Sequence, residues 1–199
     1  MPSIAAPTWD GRARITPEER SRLVPSLTTR AQLDEAERHS IHAARLWSMR
    51  DAVLRREDLL TESFARKLHG RMFGGIWRGA GRYRTTGREP GWEAQRIPEG
   101  VRLFLDDAEG WIRYATFPPD EAAVRLHHRL VAIHPWANGN GRHARLLADI
   151  LVASCGGEPL SWGSRAAPTG SGSARERYLD AIRAADAGRI APLLDFARG

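Results

Sequence analysis

The chain has one cysteine, Cys155, and one lysine, Lys67, among its 199 residues. A single thiol excludes a disulfide framework and leaves nothing for a cysteine-ligated zinc site. At the end of an apolar run, Cys155 reads as a small buried hydrophobe. Long apolar runs are also missing. The longest, Leu146 to Cys155, is interrupted by Asp149 and is too short to span a bilayer. Pro2, Pro7 and several charges break the stretch from Met1 to Arg14, which therefore lacks a signal peptide's apolar segment. We expect a cytoplasmic protein without a membrane partner. Repeats and low-complexity tracts are absent too.

The chain is 42% hydrophobic and 27% charged, with a formal net charge of +6. Those proportions suit a soluble globular domain, and the length suits one domain rather than two. Almost all the positive charge is arginine, spread along the chain. We read it as a solvated basic surface in preference to a nucleic-acid surface. Arginine also suits phosphate, because its planar fork donates two parallel hydrogen bonds. The useful question is which arginines converge.

Helix signals dominate. Thr16-Pro17-Glu18-Glu19 combines a capping threonine, a proline at the first helical position and a closing acid. Thr29 to Gln32 repeats the box and opens a helix reaching Met49. A further helix covers Glu62 to Phe73 and stops at Gly74-Gly75. After Ile97-Pro98, Val101, Leu105, Ala108 and Ile112 recur on one helical face. Pro118-Pro119 primes a helix over Asp120 to Ile133, burying Ala123, Val124, Leu130 and Val131. Arg142 to Ser154 is apolar on most sides, as a central buried helix is. Ser173 to Glu176 forms a third capping box, and a last helix spans Ile190 to Ala197. Between Ile76 and Pro98, five glycines and prolines break the helical period, and a loop with a small β-hairpin is expected. Gly156 to Gly172 reads as a long Gly/Pro/Ser-rich loop. The fold class is all-α, with one small hairpin.

One stretch carries chemistry: His134-Pro135-Trp136-Ala137-Asn138-Gly139-Asn140-Gly141-Arg142-His143-Ala144-Arg145. A helix ends at a histidine, a loop with two glycines follows, and the buried helix begins. The first amides of that helix have no helical partner and carry the positive end of its dipole. Glycine lets an anion approach them closely. Arg142 and Arg145 lie three apart, so both can lean over the loop. Together these make a polyphosphate cradle with a histidine at its rim. A neutral histidine there can take the proton of an incoming hydroxyl near pH 7.

This stretch resembles the Fic (Fido) motif H-x-F-x-(D/E)-G-N-G-R-x-x-R. His134, Gly139, Asn140, Gly141, Arg142 and Arg145 match in register. The Ile4–Arg30 lead-in, the Trp77–Arg88 segment and the end at Phe196 resemble the Fic subgroup called mobile mystery protein B. The resemblance implies one Fic domain over 1–199, with 1–50 as an N-terminal helical extension. It implies a protein adenylyltransferase moving AMP from ATP, with Mg²⁺, to a Ser, Thr or Tyr hydroxyl of a target protein. By the same resemblance His134 is the general base. The Asn140 side chain and the amides of Gly139 to Gly141 hold the α- and β-phosphates. Arg142 takes the β-phosphate and Arg145 the γ-phosphate. The hairpin, including Thr85, Thr86, Gly87 and Arg88, becomes the flap that docks the target by strand addition. A separately encoded, antitoxin-like regulator is the implied second partner.

Two positions depart from the motif. Trp136 replaces Phe. Asn138 replaces the acid that helps hold Mg²⁺, offering one neutral oxygen where magnesium relies on carboxylates and substrate phosphates. Weaker metal binding, another donor, or a subgroup that manages with Asn stay open, as does an inactive nucleotide- or partner-binding Fic protein. No inhibitory (S/T)-x-x-x-E-(G/N) helix is found, so Arg145 is expected to lack a partner within the chain. His127, His128 and His143 read as structural histidines rather than ligands, and Asp149 as structural too. Gly139-x-Gly141-x-x-Ala144 lacks the preceding strand of a dinucleotide fingerprint. Trp111 reads as core, while Trp92 and Trp162 are open to a base or a target.

Overall fold

The computed structural model describes residues 21–24, 26–87, 91–164 and 173–199. The Thr16 capping box, Arg88 and part of the loop before Gly172 lie outside them. The described helices are α1 (Arg30–Ser48), α2 (Asp51–Leu54), α3 (Glu62–Phe73), α4 (Ile97–Arg113), α5 (Pro119–Ile133), α6 (Asn140–Ser154), α7 (Ala174–Asp186) and α8 (Ala191–Arg198). A short 3₁₀ turn, Ala94–Arg96, leads into α4.

The caps form as their sequences dictate. The Thr29 hydroxyl accepts from the Gln32 amide at 3.3 Å, and Gln32 Oε1 accepts from the Thr29 amide at 3.1 Å. Ser173 and Glu176 exchange the same pair of bonds. Each box satisfies amides that a helix start otherwise leaves open.

The antiparallel pair α5–α6 is the most extensive helix contact and forms the centre. Leu126, Leu130 and Ile133 of α5 are buried with Ala144, Leu147, Ala148 and Leu151 of α6. Truncating such a leucine to alanine costs about 2–5 kcal/mol. Helix α4 packs on α5, α1 on α3, and α7 pairs with α8. The apolar faces of α4 and α5 are largely as expected, although Val131 and Ile112 are only half-buried. Cys155 differs from expectation: it caps the C-terminal end of α6 and is exposed. Burial along α6 stops at Val152, and the helix itself ends at Ser154, one residue before the thiol.

The segment 76–98 also differs from the expected hairpin. Among its described residues there is no strand ladder, only an isolated bridge between Leu23 and Trp77. Its backbone is used elsewhere. The Arg84 amide donates to the Pro135 carbonyl at 3.0 Å, and the Trp92 amide to Ile133 at 3.1 Å. The segment therefore docks on the end of α5 instead of pairing with itself. Among the described residues no helix is long and apolar enough to cross a membrane.

Candidate functional site

Helix α5 stops at His134, which adopts the left-handed conformation (φ 54°, ψ 59°). Such a conformation is costly for a residue with a Cβ and needs external support. Arg84 supplies it. This buried arginine donates Nε to the His134 carbonyl at 2.7 Å and Nη1 to the Thr86 carbonyl at 2.7 Å. Its Nη2 donates to the carbonyls of Trp92 and, at 3.4 Å, Ile133. A cation thus sits at the negative end of the α5 dipole and ties residues 86 and 92 to the histidine.

The loop from Pro135 to Gly139 is closed on itself. Asn140 Oδ1 accepts from the Trp136 amide at 2.8 Å, and its Nδ2 donates to the Trp136 carbonyl at 2.9 Å. Its carboxamide is thereby committed to the loop. What Asn140 offers a ligand is main chain, although the resemblance assigned the side chain to phosphate. Gly139, the N-cap of α6, has φ 72°, and a Cβ there would sit 2.4 Å from the Phe73 ring. Backbone and packing both demand glycine at that position. Gly141 is another matter: a Cβ would meet nothing within 4 Å.

Under the loop lies a stack of neutral histidines. The His69 ring stacks on Trp136, with centroids 4.3 Å apart. His69 Nδ1 accepts from the Gly81 amide at 2.9 Å, so Nε2 carries the proton and donates to the Asn138 carbonyl at 3.2 Å. The Trp136 indole N–H donates to His143 Nδ1 at 3.2 Å, and His143 Nε2 donates to the Ala65 carbonyl at 2.9 Å. Burial, reinforced by His143 and Arg142, pushes His69 down to about 3. Burial also pushes His143 down to about 4, against the pull of the Ala65 carbonyl. Both rings are uncharged props that fix the loop's floor. His127, pushed down to about 3 mainly by burial, bonds to the Tyr178 hydroxyl, and His128 pairs with Asp186.

A cavity of about 700 Å³ opens above the loop. It brings together His134, Asn138, Gly139, Asn140, Gly141, Arg142 and Arg145, the residues singled out in the sequence stretch. Thr85, Thr86 and Gly87 are not in its wall; Thr86 is linked to it through Arg84, which bonds both the Thr86 and the His134 carbonyls. The opposite wall comes from Trp162, Arg175, Tyr178, Leu179 and Phe196. Arg145 lies over the Tyr178 ring at 5.6 Å and donates Nε to the Gly141 carbonyl at 3.3 Å. Trp162 is held by its indole N–H, which donates to buried Asp149 at 2.9 Å. Trp92 packs against Gly100 and edge-on to Phe104.

Among the described residues the cavity wall holds three arginines and no carboxylate. One neutral amide oxygen, on Asn138, is a poor donor set for a magnesium site. No group of three acidic, histidine or cysteine side chains is gathered for a metal among the described residues either. The described residues of the site do not fit Mg²⁺, and no step below runs through it.

Four supporting residues escaped the sequence reading: Glu37, His69, Arg84 and Trp77. Glu37 contacts Arg142 across 105 positions, which leaves no local trace. A sequence signal existed only for His69, a polar residue on the apolar face of Ala65, Leu68 and Met72.

Comparison with known proteins agrees with this architecture. Residues 59–152 match the sequence profile of the Fic/DOC family. Protein adenylyltransferase fic-1 of Caenorhabditis elegans is 38% identical over 84 residues, covering 41% of this chain and 16% of that protein. Protein adenylyltransferase Fic of Aedes aegypti is 26% identical over 148 residues, covering 72% and 28%. The chain therefore spans less than a third of the length of these curated relatives. A solved fragment of C. elegans Fic-1 superposes with a TM-score of 0.59 at 26% identity, covering 80% of this chain and 46% of the fragment. BepC of Bartonella tribocorum, a VirB-translocated effector solved with bound AMPPNP, superposes at 0.68 and 16% identity, covering 96% and 93%. The motif in register, the helix–loop–helix built around it and the profile match make residues 59–152 a Fic/DOC-type core, on a fold shared with the solved C. elegans Fic-1 fragment.

Proposed function

We propose that the chain is a protein adenylyltransferase, transferring AMP from ATP to a Ser, Thr or Tyr hydroxyl of a target protein. The observation carrying this reading is Gly141. A glycine in the first turn of a helix costs up to about 1 kcal/mol relative to alanine. Packing gives no reason for it, since a Cβ there would meet open space. Gly141 lines the cavity, so its missing side chain leaves the amides at the start of α6 open to a phosphate. The naming of similar proteins as adenylyltransferases supports the same chemistry.

In this reading the triphosphate lies along the start of α6. The main-chain amides of Gly139 to Gly141 meet the α- and β-phosphates, Arg142 the β-phosphate and Arg145 the γ-phosphate. The target hydroxyl gives its proton to a ring nitrogen of His134 as its oxygen attacks the α-phosphorus. The bond from that phosphorus to the bridging oxygen breaks, and pyrophosphate leaves with the electron pair. Arginines and amides absorb the charge that builds up. Residues 85–88 guide the target segment, and Arg84 transmits its position to His134.

Label transfer in a cell lysate tests this, comparing α- and γ-labelled ATP and wild type with His134→Ala. Protein label from the α-phosphate alone, lost in the variant, is the expected result. Label from γ alone would make the chain a kinase. Asn138 favours a second reading, a Fic domain that binds nucleotide without transferring it. That reading predicts tight ATP binding and no label from either phosphate.

A further inference from the structure

We propose that Glu37 is a positioning residue for Arg142, holding its guanidinium ready for a polyphosphate, and that Trp77 in turn holds Glu37. The inference rests on the reading of Arg142 as a phosphate ligand. Glu37 is 6% exposed in the middle of α1. A carboxylate so buried needs partners for both oxygens. Oε2 accepts from Arg142 Nη1 at 2.6 Å. Oε1 accepts from the Trp77 indole N–H at 2.7 Å. Trp77 is itself fixed, its amide bonded to the Phe73 carbonyl at 2.8 Å.

The guanidinium is thus gripped along one edge by Glu37, while its carbon lies 5.1 Å from the centre of the Phe73 ring. A guanidinium has five N–H donors in one plane, so holding one edge leaves the others for a ligand. Arg142 lines the cavity and Glu37 does not. The carboxylate therefore stands behind the arginine, tied to the protein side by Trp77, and does not occupy the phosphate's place. An arginine ordered before the ligand arrives spares binding the cost of ordering it.

The test is calorimetric titration of the purified chain with a non-hydrolysable ATP analogue and with AMP, which has no β-phosphate. Melting temperatures are recorded alongside. Glu37→Gln should weaken the ATP analogue by about tenfold, the size expected when a residue that orients a ligand-binding group is lost. AMP should change by less than about twofold, since Arg142 faces the missing phosphate. Trp77→Phe, which keeps the carboxylate but removes its anchor, should act in the same direction by about threefold. Unchanged or tighter binding of the analogue would overturn the proposal, tighter binding making Glu37 a competitor for Arg142. Equal weakening of both ligands with a lower melting temperature would reduce Glu37 to a structural role. If Glu37→Gln does not fold, the analogue-to-AMP ratio in Trp77→Phe decides. Arg142→Ala is read separately: if it leaves the analogue's affinity intact, the phosphate role of Arg142 fails whatever Glu37 does.

Discussion

Mild acid should unfold this domain, because three buried histidines are kept neutral by the fold. His69 and His127 are pushed down to about 3 and His143 to about 4, from 6.5. Below pH 6.5 the unfolded chain takes up a proton at each of these sites and the folded chain does not. Their contribution is therefore fully present above pH 6.5 and drains away as pH falls toward the folded values. At pH 5 each site lies 1.5 units below its unfolded value, about 2 kcal/mol at about 1.4 kcal/mol per unit. Three sites together lose about 6 kcal/mol, comparable with the whole stability of a typical domain. Asp149 works in the opposite sense, since burial raises its carboxyl and the folded state protonates it first. Urea denaturation between pH 7.5 and 5, followed by tryptophan fluorescence, measures the effect. The slope near pH 5.5 should be about 4 kcal/mol per pH unit, and His127→Gln should remove about a third of it. A stability flat to within about 1 kcal/mol from pH 7 to 5 would refute the reasoning, because three neutral buried imidazoles cannot coexist with it.

Gly141→Ala should move stability and binding in opposite directions. The melting temperature rises, by up to about 1 kcal/mol of helix propensity, while ATP affinity falls as the methyl shields the amides; a rise in both would remove the argument for that glycine. Arg84→Met should cost about 3 kcal/mol in urea denaturation, since several carbonyls at the end of α5 lose a charged donor; a loss under about 1 kcal/mol would mean those carbonyls find water. Asn138→Asp should lower the Mg²⁺ concentration giving half-maximal label transfer by about tenfold, because it adds the missing carboxylate. An unchanged requirement would show that the substrate's phosphates hold the metal unaided.

The parts of this fold that follow from local rules were legible in the sequence. Thr29, Ser173 and Pro119 start helices where capping chemistry puts them, and the stretch from His134 to Arg145 holds one cavity wall in twelve consecutive residues. What could not be read depends on distant pairing. The segment around Arg84 has the glycines and extended residues of a hairpin, yet its amides bond to the end of α5. Asn140 looks like a phosphate ligand by its place in the motif. Only the folded loop reveals that Trp136's backbone takes both ends of its carboxamide. Glu37 is one acid among several on α1, and nothing local distinguishes it from Asp34 or Glu35.

Helix α1 grips α6 twice, through Glu37 with Arg142 and through Arg45 with Asp149 at 2.6 Å. The anchors lie eight residues apart on α1 and seven on α6, about 12 and 10.5 Å along the two axes at 1.5 Å per residue. The charges alternate, acid then base on one helix and base then acid on the other. Docked the other way round, α1 would set Glu37 against Asp149 and Arg45 against Arg142, two like-charge clashes. The two bridges therefore act as a polarity key that admits α1 in one direction only. That key is split across the boundary of the family-matched stretch 59–152, which contains Arg142 and Asp149 but neither of their partners. A fragment cut to that stretch would leave one half of each bridge with nothing to close on.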